Sequence, residues 1–524
     1  MKKRSIVSIV LILFFFSFGF ALLGNFGTGE NKSDADNDEF NRDSCVGETS
    51  VPEDGMVSKD FVSHLPLVVV DIKDQEIVKA LEYNAETDSM WPIDGVDPYV
   101  EGNIKVIDNG TKNSPNDNAL LDSKMRIKFR GNMSLNFEKK QYKVELIDED
   151  GADKKADILN MGEDNDWILT ISMMDKSLIR NYLAYDVARE IDGNTPDAKY
   201  CELLFKCGDD YEYKGLYFIA ESIKQSPYRV NISEYNPQKG VSSFLLRRDR
   251  FDPEALLLDT YATKNQLAYG YIEVKYPNKT KITDKTRKYI EDRINAFEEC
   301  LYSDNLLKFE NYKSFIDMDS FADYFIINEF FGNYDAGNNS TYIYADKDGK
   351  LHMGPVWDFD GAYDNYEANY SDVRYMPFAN NAWFDRLMLS DEFVKTLNSR
   401  YKVYRKDVLS EERINLRIND IVEYLGNAQK RDWSRWKEEY DARILQLSED
   451  ENGIVLDRNT DSYEAEIQRV EDYLTLHGDA IEELLNEEND MVKSTSLSKK
   501  YAPWMTIFIL LFLCSVVIAR RGVK

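Results

Sequence analysis

Asn333-Tyr-Asp-Ala-Gly-Asn-Asn339, followed by Trp357-Asp-Phe-Asp-Gly361, is the stretch on which the reading of this chain turns. Between the two, Thr341-Tyr-Ile-Tyr-Ala345 and Lys350-Leu-His-Met353 read as small strands joined by a turn at Asp346-Lys-Asp-Gly349. Upstream, residues 315–331 are apolar on most sides, which predicts a helix buried at the centre of a domain. The pattern is a buried helix, an acidic loop, a hairpin and a second acidic loop. An Asp in a loop commonly bonds its own backbone amides. Two such loops flanking one hairpin, with Asn338 and Asn339 between their carboxylates, carry the hard oxygen donors that divalent ions take.

The surrounding chain is long enough for a sizeable core, with 524 residues, 43% hydrophobic and 13% aromatic. A net charge of -29 excludes a nucleic-acid-binding surface as the main business of the protein, because phosphate backbones repel carboxylates. Five cysteines without a Cys-x-x-Cys pair give no cysteine zinc site, and Cys201 and Cys207 are close enough either to bridge a hairpin or to lie as buried thiols on one strand. Three scattered histidines, His64, His352 and His477, leave little material for a Ser-His-Asp hydrolase.

Both ends carry targeting signals. Lys2-Lys-Arg4, the apolar run from Ile6 to Leu23 and Gly24–Gly27 make residues 1–27 a signal peptide or N-terminal anchor. Residues 28–60 form an acidic, disordered linker. Residues 487–502 read as a polar stalk, 503–519 as a transmembrane helix and 520–524, with Arg520 and Arg521, as a cytoplasmic tail. The expectation is a protein anchored in the cell membrane, its soluble part extracytoplasmic.

Residues 61–235 are expected to be strand-rich. Met125–Arg130 and Lys139–Leu146 alternate on either side of Gly131-Asn-Met-Ser134, and period-two parity puts Lys140 on the face of Tyr142, Val144 and Leu146. A lysine there either finds an anionic partner or snorkels to solvent. Asp166–Ile171 leads into a helix over 178–191, and strands follow at 200–205 and 213–220, the second ending in Glu221. Residues 236–486 turn mainly helical, over about 284–309, 315–331, 382–427, 431–446 and 461–486.

Several spaced motifs then coincide in one order. Phe129-Arg-Gly-Asn-Met-Ser134 with Lys139-Lys140, Asp175-x-Ser177-x-x-Arg180-Asn181, Tyr213-x-Gly215-x-Tyr217-x-x-x-Glu221, Asn333-x-Asp335 with Asn338-Asn339, and Pro355-x-Trp357-Asp358-Phe-Asp360 resemble the motifs of the spore-coat CotH kinase-like family. Trp383-Phe-x-Arg-Leu387 and Ser399-Arg-Tyr401 resemble its later helices, so the similarity runs from about His64 to about Leu485.

The resemblance implies an α+β, two-lobed protein-kinase-like fold with a strand-rich small lobe over 61–235 and a helical large lobe over 236–486, flanked by membrane segments. It implies an atypical, secretory-type protein kinase that uses ATP and Mg²⁺ or Mn²⁺ to phosphorylate Ser/Thr of proteins at the cell surface or spore coat. Carried over by motif, Asp335 is the catalytic carboxylate, Asp358 the metal ligand, and Asn339 the second ligand with Asn338 as its rival. Lys140 contacts the phosphates, Glu221 sits where a hinge or nucleotide contact would be, and Arg130 and Arg180 are phosphate or structural partners. Asp186 and Glu190 are the candidates to pair with Lys140.

Those residue types suit the chemistry: a transferring phosphoryl group spreads negative charge that cations neutralise, and a carboxylate orients the attacking hydroxyl. The chain departs from ordinary kinases in lacking His-Arg-Asp, in having Gly131 alone where they have several glycines, and in Asp360 at the glycine of Asp-Phe-Gly. Two other functions fit the same residues: a surface scaffold that keeps the fold without turnover, and transfer of another group from a nucleotide.

Overall fold

The computed structural model describes residues 42–171, 173–366, 373–446 and 456–495. The alternating stretches of the N-terminal part become seven strands: β1 (Leu67–Asp71), β2 (Val100–Ile107), β3 (Leu121–Arg130), β4 (Gln141–Ile147), β5 (Asp166–Thr170), β6 (Ala198–Cys207) and β7 (Asp210–Glu221). Their order is β7-β5-β4-β3-β2-β1-β6, and β6 pairs back onto β7, so the sheet closes into a seven-stranded barrel. All neighbours are antiparallel except β1 and β6, which run parallel with Val68 opposite Leu203. The apolar run of β1 is buried along Leu67–Val70, as a strand covered on both faces must be.

This barrel corrects the expected two-lobed kinase-like fold, whose strand-rich small lobe is instead a closed barrel. The order lysine strand, helix, two strands was legible in the sequence and is present. What closes the sheet is the pairing of β1 with a strand far along the chain, and periodicity reports which face is buried, not which strand lies beside it. The closure also depends on a bulge between Leu203 and Leu204, opposite Gly215. Gly215 has φ +117°, and a Cβ there would stand 2.6 Å from Asp432 Oδ2, so only glycine lets a later helix come this close.

The second half supplies a four-stranded sheet in the order β9-β8-β10-β11, with β8 (Phe244–Asp249), β9 (Tyr271–Tyr276), β10 (Thr341–Ala345) and β11 (His352–Met353). The hairpin expected between the two acidic loops is β10–β11, with Ile343 opposite Met353. Helix α1 (Arg180–Ile191) belongs to the first half; α2 (Asp284–Leu301), α3 (Met318–Phe330), α4 (Asp391–Tyr404), α5 (Glu411–Ala442) and α6 (Tyr463–Thr495) follow the barrel. Helix α3 is the buried centre that the sequence predicts: Ser320 through Phe330 are all buried, and Asp317 caps its first turn through Ser320 N at 3.0 Å.

The single helical run expected over 382–427 divides. A one-turn helix at Phe384–Leu387, then α4, then α5 follow one another, with Ser390 and Ser410 as caps that start new helices. Helix α5 itself kinks at Gly426, whose φ of 41° and ψ of -121° leave the helical region.

Buried ion pairs sew α5 and α6 to the first half. Lys139 pairs with Asp432 with both side chains fully enclosed, and Asp432 also accepts from Leu216 N and from Tyr440 Oη, each at 2.7 Å. Arg431 clasps Glu202 at 2.6 Å, and Arg180 joins Asp175 at 2.6 Å to Glu466 at 2.7 Å. Each charge is met by an opposite charge and further hydrogen bonds, the condition for enclosing ions at tolerable cost. Cys201 and Cys207 lie on one strand as free thiols, the first buried and the second exposed.

The flanking membrane segments of the expected architecture also need correction. Residues 1–27 and 503–519 lie outside the described residues, and among the described residues no helix is long and apolar enough to cross a membrane. The structure therefore gives the anchoring expected at either end no support.

Candidate active site

Helix α3 delivers the chain into the first acidic loop, and three asparagines fix its course. Asn333 Nδ2 donates to Asn328 Oδ1 at 3.2 Å and to the carbonyl of Asp358 at 3.1 Å, so it ties the end of α3 to the second acidic loop. Asn381 Nδ2 donates to the carbonyls of Tyr334 at 2.7 Å and Ala336 at 2.6 Å. Asn338 donates from Nδ2 to Asn381 Oδ1 at 2.9 Å and accepts from Ala382 N at 3.2 Å. Gly337, at φ +87°, turns the loop, and Thr341 Oγ1 receives its N–H at 2.6 Å.

These contacts use the two rival asparagines differently. Both ends of the Asn338 amide are spent on residues 381 and 382. Asn339 donates from Nδ2 to Asp335 Oδ1 at 2.7 Å, while its Oδ1 is buried with no hydrogen-bond partner. A buried amide oxygen left unmet is costly unless something outside the chain satisfies it. Asn339 is the residue of the pair with a free donor atom for a cation.

The second loop is held by as many contacts. Asp358 adopts φ +69°, a left-handed conformation uncommon outside glycine, and it persists because its neighbours over-determine it. Phe359 N donates to Asn181 Oδ1 at 2.7 Å, Ser340 Oγ donates to Asp358 Oδ2 at 2.9 Å, and Asn333 holds the Asp358 carbonyl. Trp357 stacks on Tyr185 with ring centres 5.7 Å apart, and Phe359 meets Phe331 edge-on at 5.8 Å. Both aromatic residues are core packing, as the sequence reading has them.

Asp335 and Asp358 are thus brought to one place, and they sense each other. Burial pushes the Asp335 carboxyl up from its usual range, the Asn339 hydrogen bond opposes this, the Asp358 charge adds to it and Arg250 opposes it. Two carboxylates and an unmet amide oxygen are hard donors that fit a divalent ion. Among the described residues no three His, Cys, Asp or Glu side chains gather as a metal cage.

The predicted cationic partners fall in different places. Arg130, at the end of β3, lies over the Trp357 ring at 5.1 Å, one residue from Asp358. Arg180 is fully buried, and its guanidinium is held by Asp175 and Glu466, so it joins the seam beneath the site. Lys140 donates to the carbonyls of Leu135, at 3.0 Å, and Phe137. It therefore fastens the turn after β3. Strand β4 starts at Gln141, so strand parity does not extend to Lys140, and the lysine that enters the interior is Lys139. Asp186 and Glu190, the carboxylates considered for Lys140, bond Arg417 and Arg413 of α5 instead. Glu221 is nearly enclosed at the end of β7, where its Oε2 accepts from Asp197 N at 2.9 Å.

Three site residues escaped the sequence reading as participants: Asn181, which holds the Phe359 amide; Ser340, which holds the Asp358 carboxylate; and Arg250. Asn181 stood in a motif that could have drawn attention to it. Arg250 follows β8; burial works against its charge, but the charges of Asp335 and Asp249 outweigh that and raise its pKa. No periodicity marks such a residue, because β8 meets β10 only in three dimensions.

A family model described as "CotH kinase protein" matches residues 127–480, which include the barrel from β3 onward, both acidic loops and most of the helices. No curated protein matches the chain.

Proposed function

The chain belongs to the CotH kinase family, a family of atypical kinases, and on that footing we propose that it transfers the γ-phosphoryl group of ATP to Ser or Thr hydroxyls of surface or coat proteins. Asp335 accepts the proton of the acceptor hydroxyl, and Asp358 and Asn339 Oδ1 would hold a divalent ion, Mg²⁺ or Mn²⁺. That ion, when bound, neutralises phosphate charge. The acceptor oxygen bonds to the γ-phosphorus as the bond from that phosphorus to the β–γ bridging oxygen breaks; ADP leaves, and the hydroxyl proton passes to Asp335 Oδ. Asn339 fixes the Asp335 carboxylate by donating to its other oxygen, so the catalytic group is oriented before substrate arrives. Arg130, held against Trp357, offers a cation beside Asp358.

The observation that carries this reading is the buried, unmet Oδ1 of Asn339, a residue whose Nδ2 donates to Asp335 and whose neighbour Ser340 donates to Asp358. Thermal-shift titration with ATP, with and without Mg²⁺, tests it: the transition rises with ATP and rises further with the metal. No shift in either titration contradicts the proposal. Binding without phosphoryl transfer would identify a scaffold that retains the site.

A further inference from the structure

Three arginines in a row of four residues, Arg247, Arg248 and Arg250, end strand β8 beside the acidic loops, and they are used differently. Arg247 bonds Glu273 at 2.7 Å and Asp249 at 3.2 Å. Arg248 is buried against the Trp383 ring, pairs with Glu298 at 3.6 Å and donates to the Tyr269 carbonyl at 3.2 Å. Arg250 is half-buried, and among the described residues its guanidinium enters no hydrogen bond or close ion pair. An arginine carries five N–H donors in a planar fork, and those of Arg250 are left available to an anion from outside the chain.

Its position is fixed from both sides. Phe251, the next residue, meets Tyr271 edge-on at 5.5 Å and Trp91 at 6.5 Å, which pins the corner of the chain. Across the loop, Gly270 has φ +79°, and a Cβ there would lie 2.5 Å from the Asn338 carbonyl and 3.2 Å from that of Asp249. Gly270 therefore packs at once against the backbone next to Arg250 and against the loop that carries Asp335 and Asn339. The electrostatic coupling of Arg250 to Asp335 and Tyr334 agrees with that packing. Arg130 approaches the same cleft from the barrel, next to Asp358. The cleft thus has one arginine on its metal-ligand side and one on its catalytic-carboxylate side.

We propose that Arg250 is a catalytic residue that donates to the oxygens of the phosphoryl group in transit, from the side on which the acceptor hydroxyl enters. The inference rests on the kinase reading and goes beyond it by assigning a residue outside both acidic loops. As the acceptor oxygen bonds to phosphorus and the bond to the departing ADP oxygen breaks, the three equatorial oxygens keep their negative charge. A forked donor fixed beforehand stabilises that arrangement more than it stabilises bound ATP. Arg250 also keeps Asp335 company as a counter-charge, but its unused donors point to an anion that the loops do not supply.

The test uses the full chain with γ-labelled ATP, Mn²⁺ or Mg²⁺, and dephosphorylated casein as acceptor probe, for wild type, Asp335→Ala, Arg250→Gln and Arg250→Lys. The expected result is label transfer by wild type, none by Asp335→Ala, and a kcat for Arg250→Gln lowered roughly 100-fold. ATP affinity and Tm of Arg250→Gln stay near wild type, and Arg250→Lys recovers part of kcat because it restores charge without the fork. Should Arg250→Gln lower Tm, the comparison is made on Arg250→Lys, whose kcat must fall at unchanged ATP affinity. Wild-type kcat in the arginine variants, or a loss confined to ATP affinity, overturns the assignment while leaving the kinase reading intact. Absence of transfer by wild type itself overturns both.

Discussion

The seam between the barrel and the helices and the cleft between the acidic loops are built from the same side chains and treat them oppositely. In the seam, Lys139, Glu202, Arg431, Asp432, Arg180 and Glu466 are enclosed, and each is met by a charged partner. In the cleft, Asp335 and Asn339 are partly or wholly buried, yet the Asn339 amide oxygen is unmet, and among the described residues the guanidinium of half-buried Arg250 makes no hydrogen bond to the chain. Enclosed charge that is satisfied holds a fold together. Enclosed polarity that is left unsatisfied costs stability, and it is retained where a ligand completes it. The difference teaches where to look for function in this molecule: at the incomplete cluster, not at the strongest pairs.

Mutation separates the seam from the cleft, most strongly at Asp432. Asp432→Ala strands Lys139 in the interior and removes the acceptor of Leu216 N and Tyr440 Oη, so it costs about 3–5 kcal/mol, read as a lowered Tm. A Tm near wild type would show that the seam does not hold the barrel to α5.

Glu466→Gln sharpens the same point through pH. Burial disfavours the Glu466 charge, but Arg180 and Arg469 outweigh it and hold its pKa well below the ordinary value. A carboxylate with a depressed folded-state pKa adds stability above its unfolded pKa of about 4.3 and loses it as the pH falls toward the folded value. The stability gap between wild type and Glu466→Gln is therefore wide at neutral pH and narrows as the pH drops below about 4. A gap independent of pH would contradict the pairing.

In the cleft the order of effects reverses: stability holds and ligand response is lost. Asp358→Ala abolishes the metal-dependent part of the ATP-induced thermal shift, a loss of at most about 2.7 kcal/mol where wild type is saturated at a hundred times Kd. Its Tm without ligand changes little. Unchanged metal dependence would remove Asp358 from the metal site. The smallest effect is that of Asp317→Ala, which uncaps α3 beneath the loops and costs about 1 kcal/mol in denaturant unfolding, with ATP binding retained.

Much of the local structure was legible in the sequence. The buried helix, the hairpin and both loops appear where the apolar pattern and turn residues put them, because those signals are short-range. The closed barrel was not legible, since it depends on β1 lying beside β6. Lys140 and Lys139 show the same limit at one residue: a parity argument needs a strand, and the strand begins at Gln141. The carboxylate that meets the buried lysine came from α5, far from the Asp186 and Glu190 of the nearer helix. In the site, motif resemblance singled out Asp335, Asp358 and Asn339 but left Asn338 as a rival. Only the hydrogen bonds of Asn338 to Asn381 and Ala382 separate the two. Arg250 carried no signal at all, because its role depends on packing between a sheet corner and a loop.

The central claim is that the incomplete cluster around Asp335 performs phosphoryl transfer. Its most direct test is incorporation of label from γ-labelled ATP by wild type and by Asp335→Ala, with divalent metal present and folding of both verified by Tm. The account predicts label with wild type and a loss of at least about a hundredfold with Asp335→Ala at similar Tm. Equal incorporation by the two proteins would contradict it.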